Sequence, residues 1–168
     1  MLSRRTIVAA GLASALPLSS RGDTLEAPKG QVILTVTGAI SRTNAARTAR
    51  LDLAQLDAID RSGFTTGTPW HNEKVSFEGV RGDALLKALG ASGTEVIATA
   101  LNDYAAALPI DDFLKHKLLI ANRVNGKTMT VREKGPLWIV YPYDSAPDLN
   151  TGVFHGRSVW QLAKLEVR

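Results

Sequence analysis

Alternation of apolar and polar positions dominates the chain, and most of the stretches that follow it read as strands. Residues 31–37 (QVILTVT) form a β-rich run that closes at Gly38. Arg50–Leu53 alternates briefly and leads into a short helix over Leu53–Ile59. Val75–Phe77 reads as a strand ended by a turn at Glu78-Gly79, and Leu85, Leu86 and Leu89 then recur at helical spacing across Gly82–Leu89, with Gly90 as the stop. Val96–Leu101 and Tyr104–Leu108 read as strands. Pro109 opens a helix whose first turn carries Asp111 and Asp112, acids that complement the positive end of the helix. Leu118–Val124 and Lys127–Val131 flank Asn125-Gly126, the dipeptide best suited to a two-residue hairpin turn because both residues accept positive φ. Leu137–Tyr141 is almost wholly apolar and reads as a buried strand, with Trp138 in the core. Ser158–Leu162, with Trp160 also read as core, and Lys164–Val167 close the chain as strands. Strands outnumber short helices, so the expected fold class is α+β with mixed sheets.

The first 22 residues break this pattern. Met1–Arg5 is a short basic stretch, Thr6–Leu18 is apolar and Ala-rich, and Ser19–Gly22 is small and polar. That order is the anatomy of a signal peptide, and its apolar run falls short of the roughly 20 residues a membrane span needs. Ser3-Arg4-Arg5-Thr6-Ile7-Val8 resembles a twin-arginine export signal, although two arginines equally serve ordinary secretion. Either route leads to the periplasm or outside the cell. With no cysteine there is no lipid-attachment site.

Composition narrows the chemistry further. The 168 residues are 45% hydrophobic and 21% charged, ordinary values for a folded domain. The net charge of +4 owes three of its cations to Arg4, Arg5 and Arg21; the rest of the chain has 17 basic against 16 acidic side chains and no basic run. Nucleic-acid binding is excluded on that ground. The absence of cysteine excludes thiolate nucleophiles and cysteine metal sites. His71, His116 and His155 lack metal-ligand spacing, no G-x-S-x-G elbow surrounds Ser76, Ser145 or Ser158, and there is no P-loop. No catalytic or metal-ligating residue is therefore assigned.

Four motifs in order carry a family resemblance: FEGVRGDALLKALGA (77–91), TALNDYAAALPIDDFL (99–114), VNGKTMTVREKGPLWIVYP (124–142) and GRSVWQLAKLEV (156–167). Together they resemble the molybdopterin-binding domain of the sulfite-oxidase-type fold, over residues 31–168. In the enzymes of that family a cysteine thiolate ligates molybdenum shortly after a Phe-Thr strand. Here that stretch reads Phe64-Thr65-Thr66-Gly67-Thr68-Pro69-Trp70-His71, with Thr68 near the cysteine position. A hydroxyl cannot replace the soft, anionic thiolate ligand. Pro69, Trp70 and His71 also stand where the family has basic residues that grip the cofactor phosphate. The resemblance thus implies a pterin pocket without molybdenum. It points to a cysteine-less, exported pterin-binding branch that signals through the external domain of a membrane-bound cyclic-dinucleotide enzyme.

A pterin offers a flat ring with an amino group and a ring N–H on one edge, a pair of donors that one carboxylate accepts together. Asn102-Asp103-Tyr104 combines an amide, a carboxylate and an aromatic ring, and is equally ordinary turn chemistry. Trp70 and Tyr143 are stacking candidates, and Arg81, Arg132 and Arg157 are candidates for the carbonyl side. The expected function is an exported pterin-binding protein that relays its state to a membrane protein. The alternatives are a molybdopterin-dependent oxidoreductase that uses another ligand, and a ligand-free interaction module.

Overall fold

The structure is a computed structural model that describes residues 24–168. The signal-peptide reading of residues 1–22 lies outside the described residues. Among the described residues no helix is long and apolar enough to cross a membrane.

Among the described residues, ten strands form two five-stranded sheets. The first sheet contains β1 (Val32–Gly38), β2 (Ala49–Asp52), β5 (Glu95–Ala100), β6 (Ala105–Pro109) and β10 (Leu162–Val167), in the order β2-β1-β10-β5-β6. The neighbouring strands β1 and β10 run parallel, and the other pairs are antiparallel. The second sheet is antiparallel: β3 (Ser62–Thr66), β4 (Val75–Arg81), β7 (Leu119–Val124) and β8 (Lys127–Thr128), with β9 (Trp138–Val140) also paired to β7. Four short helices connect them: α1 (Leu53–Ile59), α2 (Gly82–Ala88), α3 (Ile110–Lys115) and α4 (Gly152–Arg157).

The alternation predicted for β5 is real, because Val96, Ala98 and Ala100 point inward while their neighbours are half-exposed. Leu34 and Val36 of β1, Phe77 and Val80 of β4, Ile120 of β7, Leu85 and Leu86 of α2 and the whole of β9 meet in one buried cluster. Asn125 and Gly126 both take positive φ (49° and 77°), as a right-twisted hairpin requires.

Three local readings need correction. Glu78-Gly79 is not a turn: β4 runs through it to Arg81, and a Cβ on Gly79 would run into the Ile120 carbonyl. The glycine marks a close strand approach at a register shift, which sequence alone does not separate from a turn. Val131 leaves the hairpin to start a 3-10 turn over Val131–Glu133, capped by reciprocal bonds between Thr130 and Glu133. Ser158–Leu162 is a strand only at its end. Ahead of it lies α4, and Trp160 makes a single bridge to Trp138 that stitches the second sheet to the first.

Candidate functional site

Three segments converge at that bridge. The first follows β3. The Thr68 hydroxyl bonds His71 Nδ1 (2.8 Å) and accepts the Trp70 N–H (3.3 Å), closing a tight turn that directs the Trp70 ring inward. Asp144 secures the turn from outside: it accepts the Gly67 N–H (2.9 Å) and pairs with Lys74 (3.0 Å), and these bonds hold its carboxyl below the usual carboxylate range. The half-buried Trp70 ring lies edge-to-face with Trp138 (5.3 Å between centroids), Trp160 (5.6 Å), His155 (5.7 Å) and Tyr143 (6.4 Å).

The second segment is α4 and the residues after it. A six-residue helix containing Gly152 and Gly156 has little intrinsic stability and depends on tertiary anchors. Arg157 supplies one, pairing with the buried Asp112 of α3 (3.0 Å), which also accepts the Tyr141 hydroxyl (2.8 Å). Burial, first of all, and the Asp112 charge push the Tyr141 phenol far upward. Burial likewise raises Tyr143 to about 12, and its hydroxyl bonds Ser158, which donates to the Phe154 carbonyl (2.7 Å). These neutral phenols are structural hydrogen-bonding groups.

The third segment is the β5–β6 turn. Asn102 Oδ1 accepts the Tyr104 N–H (3.2 Å), and Asp103 sits at the tip in the left-handed conformation (φ 64°). The Tyr104 hydroxyl donates to the Gly156 carbonyl (2.8 Å), tying the turn to α4.

Between these segments lies a cavity of about 300 Å³, lined by Trp70, Asn102, Tyr104, His155 and Trp160 together with Ala100, Gly156, Ser158 and Val159. His155 Nε2 lies within hydrogen-bond distance of the Asn150 side-chain Oδ1 (2.9 Å). The walls are aromatic slabs with a few polar edges, and among the described residues no lysine or arginine lines them.

The structure thus brings Trp70, Asn102 and Tyr104 together. Asp103 is exposed beside them, and among the described residues no hydrogen bond or ion pair uses its carboxylate. Tyr143 lies behind Trp70, buried, as backing rather than lining. Arg157 faces Asp112. Arg81 makes a two-point pair with Asp83 (3.0 and 2.8 Å) and borders a different cavity with Lys115, His116 and Lys117. Arg132 is exposed on the 3-10 turn. His155 and Trp160 are lining residues that sequence reasoning missed. Trp160 alternates with apolar neighbours and reads as core, yet it is exposed at the cavity mouth, while His155 belongs to a helix that carries no periodic signal.

A larger cavity of about 640 Å³ opens beside α1. Its carboxylates are already engaged: Asp52 accepts the N–H groups of Lys29, Gly30 and Gln55, and Asp57 pairs with Arg123 (2.7 Å). The aromatic cavity, with unengaged polar groups at its edge, is the better candidate for a ligand site.

The family model of the oxidoreductase molybdopterin binding domain matches residues 26–146. The chain belongs to this family. No curated protein matches the sequence. The matched span holds both sheets except β10 and supplies Trp70, Asn102 and Tyr104, whereas His155 and Trp160 come from the stretch beyond it. As a member of the molybdopterin-binding family the chain has a sulfite-oxidase-type fold.

The residues at the site do not fit the family's metal group. The Thr68 hydroxyl is engaged within its own turn, the chain has no thiol, and among the described residues no cluster of three or more His, Asp or Glu side chains suits a metal ion. Among the described residues no lysine or arginine lines the cavity to hold a phosphate tail. At about 300 Å³ the cavity is at the small end of ligand pockets, a size that suits a flat bicyclic ring.

Proposed function

We propose that the protein is an exported pterin-binding protein that relays occupancy of its pocket to a membrane-bound signalling protein. One observation carries the reading: a molybdopterin-family fold holds an aromatic, ring-sized cavity, the chain has no cysteine, and Thr68, near where the resemblance puts the thiolate, is engaged within its own turn. The pterin ring lies against Trp70 and Trp160, where face and edge contacts with aromatic rings favour a flat heterocycle. Its amino-pyrimidine edge points to the β5–β6 turn, where the Asp103 carboxylate and the Asn102 amide meet it. His155 adds a polar edge to the cavity wall. Export rests on the leader sequence, and relay rests on the resemblance to the cysteine-less branch.

Tryptophan fluorescence on titration with reduced and oxidised pterins tests the site. Saturable quenching is expected in the wild type, with at least tenfold weaker binding in Asp103→Ala and Trp70→Ala. Unchanged affinity in Asp103→Ala would remove the carboxylate from the site. Stoichiometric molybdenum in protein purified from its native host would replace this reading with the oxidoreductase.

A further inference from the structure

Six large apolar side chains are more than a third exposed among the described residues, and four of them gather beside the cavity: Leu101 (53%), Tyr104 (50%), Val131 (50%) and Trp160 (37%). Gln161 holds them together. It takes the left-handed conformation (φ 50°), its carbonyl accepts the Leu101 N–H (2.9 Å), its N–H donates to the Lys134 carbonyl (2.8 Å), and its side chain donates to the Val131 carbonyl (2.8 Å). The β5–β6 turn, the 3-10 turn and the Trp160 segment are thereby locked into one surface. Leu101 and Val131 also line a second hollow of about 250 Å³ that includes Lys164.

The charges on this surface are mostly positive. Lys134 lies over the Trp160 ring (5.3 Å), Arg132 is exposed next to Val131, and among the described residues neither these two nor Lys164 makes an ion pair. Of the neighbouring acids, Glu133 is held by the Thr130 backbone and hydroxyl, and Asp103 is exposed between the cavity residues Asn102 and Tyr104. A contiguous apolar patch rimmed by charge marks an interaction site rather than ordinary surface.

We propose that Leu101, Val131 and Trp160, flanked by Arg132, Lys134 and Lys164, form a docking surface for a protein partner that presents apolar side chains flanked by Asp or Glu. The chemistry selects this occupant. A second copy would set cations against cations, which costs free energy. A flat bilayer would leave both hollows unfilled, whereas protruding side chains fill them. Tyr104 and Trp160 belong to the patch and to the cavity wall at once, so a ligand in the cavity alters the surface the partner meets. That coupling rests on the pterin reading; the surface itself does not.

The test is selection of displayed twelve-residue peptides on the leaderless protein, with and without saturating pterin. The expected winners pair aromatic or aliphatic residues with Asp or Glu, bind more weakly at high salt, and change affinity at least threefold between the two conditions. They lose at least tenfold in affinity for Val131→Ser/Arg132→Glu, whose residues lie outside the cavity and whose pterin binding is the check on folding. Winners that bind this variant as well as wild type overturn the surface. So does sedimentation with phosphatidylglycerol vesicles, or self-association in ultracentrifugation, that the same variant abolishes. Equal affinity with and without pterin overturns the coupling. Peptide binding to a protein that takes up no pterin upholds the surface and refutes the pterin reading alone.

Discussion

The β5–β6 turn and the α3–α4 anchor both reach α4, and they treat their polar groups in opposite ways. In the anchor, Asp112, Arg157 and the Tyr141 hydroxyl are buried or half-buried and satisfy one another. At the turn, the Asp103 carboxylate is exposed, makes no bond among the described residues, and is held at the tip by a backbone that few residue types adopt readily. A charge already matched inside the fold has no capacity left for a ligand, while an unmatched one at a cavity edge does. The difference teaches that Arg157, a candidate for the carbonyl side of the ligand in the sequence, serves in the structure to seat the helix that walls the pocket.

Substitutions can break this contrast, and their effects should run in a definite order. Asp112→Ala leaves Arg157 and Tyr141 without their partner in the interior and should cost about 3–5 kcal/mol in urea unfolding. It should also weaken pterin binding indirectly, because α4 loses its seat. Trp70→Ala should cost about 2–4 kcal/mol, at or below the range for a buried tryptophan, since the ring is half-buried. It should abolish ligand quenching as well.

Asp57 extends the comparison to a third carboxylate. Hydrogen bonds from Arg123, foremost, and from Asn122 hold it below the ordinary aspartate value. Its stabilisation is therefore complete above that ordinary value and is lost as pH falls through the depressed one. Asp57→Asn should cost about 1–3 kcal/mol at neutral pH, as for a hydrogen bond to a charged group. Urea titrations at successively lower pH should show that difference narrowing; a constant difference would contradict the assignment. Smaller still, Tyr104→Phe removes the bond to Gly156 and should cost about 0.5–1 kcal/mol. Asp103→Ala should stay within about 0.5 kcal/mol of wild type in stability, as an exposed substitution does, while losing ligand.

The sheet framework was legible because its signals are local. The inward positions of β5 alternate, Asn125-Gly126 forms its hairpin turn, and Leu85, Leu86 and Leu89 are all buried as helical spacing predicts. Gly79 misled because one residue type serves both tight turns and close strand contacts. The α4 segment escaped notice because its two glycines and six residues give no period, and its anchors include Asp112 and Tyr104, both far away in sequence. The site divides along the same line. Asn102 and Tyr104 were readable as a turn motif, whereas the place of Trp160 at the mouth follows from the left-handed Gln161 and its long-range bonds, which no periodicity encodes.

The central claim is that the aromatic cavity takes a pterin. Thermal melting of the leaderless protein with a panel of oxidised and reduced pterins tests it most directly, because a ligand that binds only the native state raises the midpoint by mass action. The account predicts a saturable upward shift with at least one pterin, absent in Trp70→Ala. No shift with any pterin at millimolar concentration, from protein that melts cooperatively, would contradict it.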